Sequence, residues 1–219
     1  MAIPASLANQ LSLPVIGSPL FIISNPDLVI AQCKAGVVGS FPSLNARPIE
    51  QLDEWLSRIN EELAAARAAN PAAKIAPYAV NLIVHKSNNR IEEDLALCVK
   101  HKVPIVITSL GARPEVNEAI HSYGGIVLHD IINIVFAHKA LEKGADGLIA
   151  VCAGAGGHAG VLSPFALTSE IREFFDGPLA LSGSISTGAQ VLAAQAMGAD
   201  FAYIGTAFIA TDEARALDA

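Results

Sequence analysis

The run Ala153-Gly-Ala-Gly-Gly-His158-Ala-Gly160 sets one imidazole among glycines and alanines. A backbone this bare can approach a ligand closely, and its N–H groups can donate to an anion. A histidine titrates near neutrality, which suits proton abstraction, stabilisation of an anion or a structural hydrogen bond. Directly upstream lies the apolar run Gly147-Leu-Ile-Ala-Val-Cys152. The pair reads as a catalytic loop leaving a buried strand, because flexible linkers seldom follow such a strand. Two further stretches are equally small. Ser182-Gly-Ser-Ile-Ser-Thr-Gly188 opens a helix, and Gly205-Thr206 closes another apolar run. Backbone N–H groups and a helix N-terminus there would hold a phosphate. Glycine and serine also make ordinary turns, but their joint occurrence at two strand ends favours the phosphate.

Other side chains are weaker candidates. His129, followed by Asp130, sits at a strand end and either takes part in the chemistry or packs the rim. Asn81 falls in an apolar run, where a buried amide needs a partner such as a cofactor ring edge. Cys152 reads as a small barrel-filling residue, since no cation adjoins it to activate the thiol. His85, His101, His121 and His138 fall on helices or exposed turns and receive no role.

The elements that must carry these residues repeat along the chain. A helix, a glycine, a short polar step and an apolar strand recur at Lys34-Ala-Gly36, Tyr123-Gly124-Gly125, Lys143-Gly-Ala-Asp146 and Met197-Gly-Ala-Asp200. Each glycine can take the left-handed conformation that ends a helix. Apolar runs predict eight strands near 14–17, 37–40, 75–84, 104–108, 126–129, 147–151, 178–182 and 202–205. Helices are predicted between them, among them 51–69 and 187–197, and Asn25-Pro26-Asp27 has the cap, proline and acid of a helix start. Alternating β and α elements with eight strands predict an α/β chain folded as a (β/α)8 TIM barrel. A doubly wound sheet would show a dominant glycine-rich turn after its first strand, whereas Ser18-Pro19-Leu20-Phe21 follows here. No domain boundary is visible, so residues 1–219 are expected to form one barrel domain. Residues 211–219 supply barely two turns of helix after strand eight. The expectation is a barrel that ends early in its last helix and lacks a C-terminal covering segment.

Composition agrees with this reading. The chain is 52% hydrophobic and 16% charged, with few aromatics, which suits a parallel sheet covered on both faces. The net charge of −7 and the lack of a basic run exclude nucleic acid as an expected partner. No apolar stretch is long enough to span a bilayer, and the start Met1-Ala-Ile-Pro lacks the cationic region of a signal peptide. Three cysteines without metal-ligand spacing fit a reducing compartment. A cytoplasmic protein is expected.

Three of these segments carry a resemblance. Val151-Cys-Ala-Gly-Ala-Gly-Gly-His-Ala-Gly160 resembles the Gly-Gly-His-x-Gly motif of the nitronate monooxygenase family. Leu181-Ser-Gly-Ser-Ile-Ser-Thr-Gly188 is similar to its phosphate loop, and Gly198-Ala-Asp-Phe-Ala-Tyr-Ile-Gly-Thr-Ala-Phe208 to its closing strand. Asn81 matches a family asparagine on strand three. The resemblance implies an FMN-binding barrel that oxidises alkyl nitronates or nitroalkanes with O2 to a carbonyl compound and nitrite. It implies His158 as base or anion stabiliser. It places the flavin phosphate on Gly183, Ser184, Gly205 and Thr206, and the ring near Pro19, Leu20, Asn81, Gly156 and Gly157. Three departures stand out: Ser184 for a glycine, Ala207 where relatives often have Arg, and Asp130 where some carry Lys. A negative group at Asp130 weakens anion binding, which leaves the substrate type open. Three other readings remain. One is an NAD(P)H-dependent flavin reductase of the same barrel family. Another is a flavin-free phosphate barrel or a metal barrel using His129, Asp130 and His158. The last is an inactive, truncated barrel. The oligomeric state is open, with a homodimer among the options.

Overall fold

In the computed structural model, which describes residues 5–157 and 160–216, eight parallel strands form one ring. They are β1 (Val15–Gly17), β2 (Gly39–Pro42), β3 (Tyr78–Ile83), β4 (Ile105–Ser109), β5 (Ile126–Ile131), β6 (Gly147–Val151), β7 (Leu179–Ser182) and β8 (Phe201–Ile204). Neighbours pair in the order β1-β8-β7-β6-β5-β4-β3-β2. The ring closes where Ile16 bridges Val38, with Gly17 N–H donating to Val38 O at 2.8 Å and Val38 N–H to Val15 O at 3.0 Å. The short α1 (Ala5–Ala8) precedes β1, and helices follow the strands: α2 (Pro26–Lys34), α3 (Ile49–Ala69), α4 (Ile91–Lys100), α5 (Pro114–His121), α6 (Ile134–Glu142), α7 (Pro164–Arg172), α8 (Gly188–Ala196) and the short α9 (Thr206–Ile209). Among the described residues, no helix is long and apolar enough to cross a membrane.

Alternation along each strand sorts side chains into two layers. Ile16, Val38, Ala79, Ile107, Leu128, Ile149, Ala180, Phe201 and Tyr203 fill the ring, with Leu7 and Leu11 packed against them. The outward set, including Val80, Val106, Val127, Leu148 and Ala202, packs under the helices. Because both faces are covered, the strands read as continuous apolar runs.

The repeated Gly-Ala-Asp steps have a structural purpose. Asp146 N–H donates to Val127 O at 2.9 Å, and its carboxylate accepts from Val127 N–H at 2.7 Å. Asp200 does the same on β7, with Leu179 O at 2.7 Å and Leu179 N–H at 3.0 Å. Each aspartate thus staples the entry of its own strand to a neighbouring strand. Asp200 is fully buried and is held by Arg172 at 2.7 Å.

Local signals were faithful at helix starts. Asn25 Oδ1 accepts from Asp27 N–H at 2.8 Å and Leu28 N–H at 3.4 Å. Thr187 caps α8 through a reciprocal capping box with Gln190. Several boundaries differ from the sequence expectation by two or three residues, β2 and β3 among them, and two of the differences lie at the C-terminal rim. β5 runs two residues further, to Ile131, because Asp130 and Ile131 keep pairing with Ile149 and Ala150. Helix also forms at Thr206–Ile209 rather than beyond residue 211. The following residues are instead tied to the first loop, with Arg215 N–H donating to Ile23 O at 3.1 Å and Asn25 Nδ2 to Glu213 O at 2.8 Å.

Candidate functional site

Four loops meet at the C-terminal rim of the barrel. The loop after β6 is closed at its neck, where Ala153 N–H donates to Leu162 O at 2.9 Å and Gly160 N–H to Val151 O at 3.1 Å. A Cβ on Gly160 would stand 2.4 Å from that same carbonyl, so only glycine fits. The loops after β6 and β7 are joined through Gly154 O, which accepts both the N–H and the Oγ of Ser184 at 3.0 Å. Gly183, at φ +146°, permits this approach; a Cβ there would lie 2.8 Å from Ala153 O. Ser184 itself has φ 51°, unusual for a non-glycine residue, and its two bonds to Gly154 hold it there. Its N–H is therefore committed within the protein.

The donors that remain near that loop belong to α8. Ser186 and Thr187 N–H both point to Gln190 Oε1, at 2.8 and 3.1 Å, which leaves Gly188 and Ala189 in the orphan first turn. Among the described residues, a Cβ on Gly156 or Gly188 would touch nothing within 4 Å, so the backbone there is open to a ligand. At β8, a Cβ on Gly205 would meet Ser18 Oγ at 2.7 Å and Leu20 Cδ2 at 3.3 Å. That glycine lets the loop after β1 close on the strand-eight end, and Ser18 N–H bonds Ile204 O at 2.7 Å. Asn45 braces the same loop, donating to Leu20 O and Ser24 O at 2.9 and 2.8 Å and accepting from Ile22 N–H at 2.9 Å. Pro19 and Leu20 are half-buried, whereas Gly156, Gly157, Ser184 and Thr206 are exposed. The structure thus gathers Leu20 with Gly205, and Gly154 with Ser184, on one rim.

Below the rim runs a polar chain that the sequence reading did not assemble. Asn81 Nδ2 donates to Ile107 O at 3.0 Å and to Ser109 Oγ at 2.7 Å. Ser109 Oγ donates in turn to Asp130 Oδ2 at 2.6 Å. What Asn81 can offer a ligand is accordingly its carbonyl oxygen. Asp130 Oδ1 is shielded and has no hydrogen-bond partner among the described residues. Burial pushes this carboxyl up from 3.8 to about 6, against a smaller lowering by the Ser109 bond. Tyr203 is also raised, first by burial and then by the nearby Asp130 charge. A count in twos from Leu128, which faces inward, would have found Asp130 on the inner face.

Two candidates are displaced. His129 faces outward under the helices, sharing a 2.6 Å hydrogen bond with Thr108 Oγ1. Burial, then the Lys143 charge, lowers it to about 4, so the ring is neutral at ordinary pH. Cys152 packs with Leu148, Ala150 and Leu181 outside the ring rather than filling it, because it falls on the outward phase of β6. Burial raises its thiol to about 11. His158 lies outside the described residues. Among the described residues, no cluster of His, Cys, Asp or Glu could hold a metal ion.

The family model for nitronate monooxygenase matches residues 6–219. A nitronate monooxygenase of Paraburkholderia phytofirmans is 28% identical, over 91% of this chain and 64% of that protein. A (3aS,4S,5R,7aS)-5-hydroxy-7a-methyl-1-oxo-octahydro-1H-indene-4-carboxyl-CoA dehydrogenase of Rhodococcus jostii is 25% identical, over 94% of this chain and 54% of that protein. The chain therefore spans less than two thirds of the length of these relatives. Among solved structures, a nitroalkane oxidase from Streptomyces ansochromogenes superposes with a TM-score of 0.84 at 24% identity, covering 97% of this chain and 70% of its own. FabK from Thermotoga maritima superposes with 0.81 at 23% identity, covering 97% and 65%. Both likenesses bear on the fold.

Proposed function

The chain belongs to the nitronate monooxygenase family, and from that premise we propose that it holds FMN at the C-terminal rim and oxidises alkyl nitronates or nitroalkanes with O2, giving a carbonyl compound and nitrite. The observation that carries the reading is the rim itself. Gly154, Gly183 and Gly205 stand where a Cβ would collide with a neighbouring loop, and a Cβ on Gly156 or Gly188 would touch nothing among the described residues. A flat, anionic cofactor needs such a surface: bare backbone for close approach and N–H donors for its phosphate.

On this reading Gly183, Gly205 and Thr206, with the first turn of α8, cradle the phosphate. Ser184 shapes the cradle through its bonds to Gly154. Pro19 and Leu20 wall the ring, Gly156 and Gly157 let it lie close to the loop after β6, and Asn81 presents its carbonyl oxygen. The flavin supplies the electron transfer between substrate carbon and O2. His158 removes the α-proton of a neutral nitroalkane or holds the anionic nitronate.

Purified protein should be yellow and should release nitrite from propionate 3-nitronate. His158→Ala should keep its flavin and lose activity on neutral nitroalkanes by about 10²-fold or more. Unchanged turnover would remove His158 from the reaction. A second reading is an NAD(P)H-dependent flavin oxidoreductase; the R. jostii relative, a dehydrogenase by name, supports the oxidoreductase class and not the choice of electron donor. Anaerobic bleaching of the flavin by NADH, with no nitrite formed from nitronates, would select it.

A further inference from the structure

Among the described residues, Asp130 is the one carboxyl on the inner face of the barrel. Its surroundings come from six strands by alternation. β3 and β4 present Asn81 and Ser109, β2 and β7 present Ser40 and Ser182, β6 presents Val151, and β8 presents Tyr203. Of these only Tyr203 titrates, and none of them is a cation. His129 adjoins it in sequence but points to the other side of β5.

The hydrogen-bond chain has one direction. An amide nitrogen can only donate, so Asn81 fills one acceptor site of Ser109 Oγ and the serine proton goes to Asp130 Oδ2. A proton on the carboxyl must then ride on Oδ1, which has no partner among the described residues. The residue as a whole is only partly buried, and it sits near the C-terminal end of β5, the rim side of the ring. A charge placed there acts through a poorly screened medium on whatever occupies the mouth.

We propose that Asp130 sets the charge of the substrate that the barrel mouth admits. Protonated, it lets an anion such as a nitronate enter; ionised, it turns anions away and favours neutral substrates bearing N–H or O–H donors. The inference rests on the mouth being the substrate site. It makes Asp130 a specificity determinant that needs no bond to the reacting atoms.

Nitrate is a suitable probe, being planar like a nitronate and anionic throughout the working range. Its affinity is measured by calorimetry from pH 5 to 8 on flavin-loaded wild type, Asp130→Asn and Ser109→Ala. Wild-type Kd should rise about tenfold or more across that range, with the midpoint near the titration of Asp130. Asp130→Asn should lose far less nitrate affinity between pH 5 and pH 8 than wild type does. The histidines are common to both proteins and cancel in the comparison. Ser109→Ala, which removes the donor to Oδ2, should move the midpoint to higher pH. Parallel profiles for wild type and Asp130→Asn, or no nitrate binding by wild type at pH 5, would overturn the proposal. Absent nitrite formation with the nitrate profiles intact would count against the nitronate reading alone.

Discussion

Replacing Asp130 with asparagine should make the fold more stable, and only above a definite pH. The carboxyl is lifted from 3.8 to about 6 by burial, with one oxygen unpaired among the described residues. Between those values the unfolded chain releases the proton while the folded chain keeps it. Wild-type stability therefore falls as pH rises through this window, and the loss is complete above it. At 1.36 kcal/mol per unit, the penalty is about 2–3 kcal/mol at neutral pH and falls to roughly half a kcal/mol by pH 4. Asparagine has the same shape, can accept from Ser109 through its carbonyl and carries no charge. Urea unfolding of both proteins at half-unit steps from pH 4 to 8 reads the difference as a shift in midpoint at constant slope. The two curves should lie closest at pH 4, diverge to about pH 6.5 and run parallel beyond. His129 titrates in an overlapping range, but it is present in both proteins and drops out. A difference that does not change with pH would show that Asp130 is not held protonated by the fold.

Three further outcomes follow from named contacts. Arg172→Met leaves Asp200 charged and fully buried, and should cost about 3–5 kcal/mol in urea unfolding; pairing it with Asp200→Asn should recover much of that. Gly205→Ala drives a methyl to 2.7 Å from Ser18 Oγ, so flavin retention in visible absorbance should drop, and Ser18→Ala in the same chain should restore it. His129→Gln should leave the pH profile of activity near neutrality unchanged, since that ring is already neutral there. Because its folded value is lowered to about 4, wild type loses stability as pH falls from 6.5 toward 4, and the variant should lose less, by circular dichroism melts at pH 4.5 and 7.

Much of this was legible in the chain. The eight apolar runs became eight parallel strands, because strands covered on both faces leave continuous hydrophobic stretches. The cap at Asn25 and the box at Thr187 formed as written, since a cap depends on residues only a few positions apart. The rim loops were found by their glycines, and three of those glycines stand where a Cβ would collide with another loop, at Ser184 Oγ, Ala153 O and Ser18 Oγ. The direction of His129 and Cys152 was not legible from their position near strand ends. Strand phase decides it, and phase is read only when the partners are known.

The amino-acid sequence determined the barrel, the place of the small residues and the family, because these rest on local periodicity and contiguous motifs. The tertiary structure alone decided what Asp130, Ser109, Asn81 and Tyr203 are to one another. They come from four strands spread over more than half of the chain, and only closure of the ring turns them toward a common interior. The raised carboxyl follows from that closure, since burial is a property of the assembled fold and of no single segment.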